Sequence, residues 1–125
     1  MNDAPKEYTL TFEVRPGYLY AHLASDKITV DIIRGYVEEI VARSRETGLD
    51  RILLYRDIPA ILTEGEVFHT VSDSLEPLRG KQLALVNPYS DIEKPLRFGM
   101  TVGQNRGGNY ANFDTVEAAE VWLLK

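Results

Sequence analysis

Cysteine is absent from the 125 residues. That removes disulfides, thiolate zinc sites, iron–sulfur clusters and cysteine nucleophiles at once, and it fits a reducing compartment. Histidine is scarce, with only His22 and His69. Neither has a second histidine three or four residues away, so a metal site would need ligands from distant segments. Each reads as an ordinary surface or half-buried side chain, and no metal or cofactor is expected. No apolar run approaches the roughly 20 residues that cross a bilayer, so no transmembrane segment is expected. Residues 1–7 are polar and lack the apolar core of a signal peptide. They read as an N-terminal tail before a domain over 8–125, and the expected location is the cytoplasm. Bases are the minority, 14 against 19 acids, for a net charge of −5. That balance speaks against nonspecific binding to nucleic acid or anionic lipid. There is no internal repeat, no low-complexity stretch and no linker long enough to divide the chain.

What is present is the composition of one globular domain, 44% hydrophobic and 26% charged. Residues 8–14 alternate, with Tyr8, Leu10, Phe12 and Val14 on one face, the period of a half-buried strand. Pro16-Gly17 suits the centre of a type II turn, and residues 18–24 complete an antiparallel hairpin. Thr29 caps a helix with Asp31 in its first turn. Its stripe runs through Val30, Ile33, Val37, Ile40, Val41 and Ser44, Glu39 and Arg43 have i,i+4 spacing, and Gly48 closes it. Ile52-Leu53-Leu54-Tyr55 is a short continuous apolar run, as in a strand covered on both faces. Thr63-Glu64-Gly65-Glu66 has capping-box spacing, and the helix it opens turns Val67, Phe68, Val71, Leu75 and Leu78 inward before Pro77 stops it. Leu83-Ala84-Leu85-Val86 is a second buried strand. Ser90 or Asp91 caps a third helix, with Pro95 in its first turn, running to about Gly103. Residues 110–113 form a short edge strand. Asp114-Thr115-Val116-Glu117 reads as another capping box, with Ala118, Val121, Trp122 and Leu124 of the last helix turned inward. The order β-β-α-β-α-β-α-β-α predicts a single α/β domain. Its mixed sheet has about five strands, mostly parallel, with one antiparallel strand from the hairpin.

No motif pairs a nucleophile with a base or sets two carboxylates in a known catalytic arrangement. Gly99, Gly103, Gly107 and Gly108 match neither dinucleotide nor P-loop spacing; Gly99 and Gly103 are better read as letting a helix approach the sheet closely, and Gly107-Gly108 as a turn. The segment after the first buried strand carries more information. Ligands and partners of open parallel sheets collect at the carboxyl ends of the strands. Arg56 and Asp57 lie there and either bind something or form a local ion pair. Ile58, Ile61 and Leu62 make the following loop unusually apolar, which points to a fold-back onto the core or to a covered binding surface. Thr63 is read as a helix cap first and as a phosphorylation site second. Arg56, Asp57, Ile58, Ile61, Leu62 and Thr63 are therefore the candidate partner or ligand surface.

The arrangement resembles the STAS superfamily, the domain of bacterial anti-sigma-factor antagonists, and most closely its stand-alone SpoIIAA-like branch. The resemblance spans nearly the whole chain from Tyr8. It is carried by the opening hairpin, the helix start Thr29-Val30-Asp31, the strand Arg51-Ile52-Leu53-Leu54-Tyr55 ending at Asp57, and the closing Phe113-Asp114-Thr115-Val116-Glu117-Ala118-Ala119-Glu120-Val121-Trp122-Leu123. It implies binding in place of catalysis. Phosphorylated members carry Asp-Ser-Ser-Gly between third strand and second helix. Here the stretch is Asp57-Ile58-Pro59-Ala60, so only the aspartate matches and the phospho-acceptor serine is missing. Thr63 lies too far along to take its place. The expectation is a noncatalytic, regulatory STAS-like interaction module that binds a protein partner or a second copy through the loop around Asp57 and the helix after it. The alternative is a binder of a small apolar or lipid-like molecule held between sheet and helices, which lipid carriers of related fold imply.

Overall fold

The computed structural model describes residues 7–125; all but the last residue of the expected tail lies outside them. Strands β1 (Thr9–Arg15) and β2 (Tyr18–Ala24) form the hairpin. Arg15 pairs with Tyr18 across a two-residue turn in which Gly17 takes φ +86°, a conformation open to glycine at little cost. Three strand–helix units follow: α1 (Val30–Thr47) to β3 (Arg51–Asp57), α2 (Glu64–Ser74) to β4 (Gln82–Val86), and α3 (Glu93–Asn105) to β5 (Asn109–Phe113). Helix α4 (Val116–Leu123) ends the chain. The strands lie in sequence order, β1 antiparallel to β2 and all other neighbours parallel. The expected α/β class and mixed five-stranded sheet are both present.

The topology sets what covers each face. Each β-α-β crossover steps the same way across the sheet, so right-handed connections put α1, α2 and α3 on one side. Ile52, Leu54, Leu83 and Leu85 meet those helices in the larger core cluster. Only α4, which follows the last strand, is free to pack on the other side. It meets Tyr18, Leu53, Ala84 and Val86 through Ala119 and Leu123. Covering on both faces is why β3 and β4 read as unbroken apolar runs. The Tyr18 hydroxyl, bonded to the Glu120 carboxylate, ties α4 to the hairpin. Among the described residues no helix is long and apolar enough to cross a membrane.

Several local expectations change. Val14, one residue pair from the hairpin turn, is exposed. Arg43 turns from Glu39 to Glu46, 3.1 Å away, and lies over the Phe12 ring, while Glu39 accepts the Tyr8 hydroxyl. Neither Ser90 nor Asp91 caps α3: a 3-10 turn at Ser90–Ile92 leads into it with no side-chain cap, and the helix runs two residues past Gly103. Phe68 faces outward at 39% exposure, with the Arg106 guanidinium over its ring. The last capping residue is Thr115, not Asp114; its hydroxyl accepts from the Ala118 amide. That one-residue shift turns Ala119, Trp122 and Leu123 inward and leaves Val121 64% exposed. The glycines of α3 do serve packing. A Cβ on Gly99 would sit 3.0 Å from Val67 of α2, and one on Gly103 would collide with the Tyr110 ring.

Candidate functional site

Strand geometry decides what the end of β3 can do. Successive side chains leave a strand on opposite faces. Leu54 and Arg56 therefore share the side covered by α1, α2 and α3, while Tyr55 takes the other, where its ring stacks on His22 at 5.1 Å. Arg56 and Asp57 form no ion pair. Asp57 accepts a 2.6 Å bond from the Tyr89 hydroxyl, and that bond, ahead of burial, raises the tyrosine's pKa above its ordinary value. Arg56 is 3% exposed. Its guanidinium donates to the Ile58 carbonyl at 2.8 Å and the Ala60 carbonyl at 2.7 Å, pinning the first half of the β3–α2 loop across the end of the core.

The six candidate residues separate accordingly. Ile58 is completely buried and plugs the core. Thr63 is exposed and builds a full capping box. The Glu66 amide donates to its hydroxyl at 3.3 Å, and the Thr63 amide donates to the Glu66 carboxylate at 3.1 Å. Asp57 is half-buried against Tyr89. Arg56, Ile61 and Leu62 come together on the wall of a partly open cavity of about 110 Å³.

That cavity lies between the sheet and the helix layer. Leu54, Leu83 and Leu85 form its floor, Tyr36 and Val37 of α1 one side, Val67 and Thr70 of α2 another, and Leu96, Gly99 and Met100 of α3 the rest. The wall is almost wholly apolar. Thr70 and Ser74 are polar members, but each hydroxyl donates to a carbonyl of its own helix, Val67 at 3.1 Å and Thr70 at 2.7 Å. Arg56 and Tyr36 differ. Burial lowers the Arg56 pKa from an arginine's usual value. Burial raises that of the Tyr36 phenol, against a smaller opposing pull from the Arg56 charge. Among the described residues no carboxylate pairs with Arg56.

A groove of about 270 Å³ on the outer side of α1 and α2 shares Ile33, Val37, Thr70 and Ser74 with the cavity. The two therefore adjoin along these side chains. Tyr36 and the α3 lining were not singled out as site residues from the sequence. The parity of Ile52, Leu54 and Arg56 along β3 is the signal that would have placed a charged side chain inside. No protein-family model matches the chain, and no curated protein shows significant similarity to it.

Proposed function

We propose that this protein is a noncatalytic binding domain of STAS-like architecture that holds a small apolar molecule between its sheet and helices α1–α3. The observation that carries this reading is the cavity itself. Interiors of small domains pack with few voids larger than a water, and genuinely empty cavities are apolar and take up apolar guests. The order of elements and the mixed sheet support the architecture. The reading is noncatalytic because the wall offers one cation, two phenols, two hydroxyls bonded within their own helix and otherwise apolar side chains, with no nucleophile and base paired in a known arrangement.

The protein-partner reading keeps one observation of its own. Phe68 on α2, the helix after the candidate loop, is 39% exposed, and Phe98 on the neighbouring α3 is 37% exposed; aromatic side chains are enriched at interfaces. Native mass spectrometry of protein purified gently from its own cells separates the two. A retained small mass, lost on mild denaturation, is the expected result. Protein that arrives without it and in stoichiometric complex with another chain would replace the ligand reading with the interaction module.

A further inference from the structure

We infer that the ligand of this cavity is a short-chain monocarboxylate, its head group held by Arg56 and Tyr36. The inference rests on the cavity reading above and names the chemistry that fills it. A guanidinium has five N–H donors, and Arg56 gives two bonds, to Ile58 and Ala60. Three donors and a full positive charge therefore remain beside an apolar space. Two carbonyl dipoles offset that charge only in part, and a buried cation ordinarily has an anionic partner. The Tyr36 hydroxyl, on the same wall, makes no hydrogen bond to any described residue. Of the other polar wall groups, Thr70 and Ser74 are already bonded, and the Tyr110 hydroxyl, like that of Tyr36, has no bond to a described residue. A few unbonded donors in a mostly apolar wall are the usual make-up of a small-molecule site.

The donor set selects the head group. A planar two-oxygen carboxylate matches the guanidinium fork, and one charge meets one charge. A phosphate monoester would bring close to two negative charges to a single cation. An amine would set a second cation beside Arg56. Volume selects the tail. About 110 Å³, at roughly 30 Å³ per water-sized group, holds about four such groups, the carboxylate and the carbon next to it. Any longer tail has to part Ile33 and Val37 from Thr70 and Ser74 and enter the outer groove.

The test titrates the intact protein with hexanoate and with hexan-1-ol, followed by amide chemical shifts. The pair differs in the head group and shares the chain, so the comparison needs no variant that could fail to fold. Expected are shifts at Arg56, Ile61 and the α3 lining, hexanoate at least tenfold tighter than the alcohol, and a loss of about fivefold for hexanoate in the near-isosteric Tyr36→Phe. Equal affinity for both probes, or a Tyr36→Phe variant that binds hexanoate unchanged, overturns the carboxylate inference and leaves the cavity reading standing. Binding of neither probe overturns both.

Discussion

At the scale of single residues, the end of β3 shows how much one step of strand parity decides. Read as a sequence, Arg56-Asp57 is a charged pair at a loop. In the fold the two leave the strand on opposite sides: one becomes a buried brace and the other the acceptor of Tyr89. The loop's apolar residues divide in the same way. Ile58 has no exposed surface and belongs to the main core cluster, while Ile61 only packs against its edge. Ile58→Ala should therefore cost about 3 kcal/mol, within the range for buried large-to-alanine changes. Ile61→Ala should cost about 1 kcal/mol, since partial burial forfeits only part of the transfer term. Urea unfolding of both variants at one pH measures this. Equal losses at the two positions would show that Arg56 does not hold the loop in the arrangement described.

At the scale of elements, most of the chain was legible because local chemistry and tertiary need agree. Thr29 caps α1 with a 3.1 Å bond from the Ile32 amide, Gly48 closes it at φ +71°, and Thr63 with Glu66 opens α2. Where two neighbouring residues could both cap, sequence alone could not choose. Asp114 has Glu117 three residues on and Thr115 has Ala118. The capping-box pattern favours the first, while the packing of Ala119 and Leu123 on β3 and β4 requires the second. The site was less legible, because its cavity is made of leucine, valine and tyrosine side chains that look like any core. Its polar members become unusual only once their partners can be counted.

The cap assignment is testable because its two candidates respond to different forces. Thr115→Ala should cost about 1 kcal/mol, as loss of an N-cap generally does. Asp114→Ala should cost nothing at neutral pH. The Asp114 carboxylate, first by hydrogen bonding and then by its charge, raises the pKa of Glu93. An acid whose folded pKa is raised binds its proton more readily folded than unfolded, so the pair opposes folding where both are ionised. That penalty fades as pH falls through the raised value, where protonated Glu93 donates to Asp114. Asp114→Ala should thus be at least as stable as the parent at pH 7 and lose that standing toward pH 4. Thermal unfolding across that window decides it, and a large loss for Asp114→Ala at neutral pH would return the cap to Asp114.

At the scale of the whole molecule, an excess of acids and a set of ion pairs lower the positive potential that a polyanion would meet. The excess of acids is spread along the chain, and half of the 14 bases stand in ion pairs among the described residues. Arg15 with Glu13, Lys27 with Glu7, Arg34 with Asp31, Arg43 with Glu46, Arg79 with Glu76, Lys81 with Asp50 and Arg97 with Glu93 are all ion pairs. Exposed pairs of this kind add little stability, about 0–1 kcal/mol each, but they lower the local positive potential. Arg106 lies over Phe68 and Arg56 is inside. Nonspecific affinity for DNA comes from neutralised phosphates and released counterions, which demands several unpaired cations on one face. The protein should therefore show no measurable affinity for a duplex oligonucleotide at about 150 mM salt, where nonspecific binders reach roughly 10⁻⁴–10⁻⁶ M. Fluorescence anisotropy at that salt and at a tenth of it checks this. A submicromolar complex weakening steeply between the two would mean that the ion pairs open in solution and expose a basic face. It would also weaken the case that Arg56 is the charge available to an anion, since surface arginines would then compete for the same carboxylates.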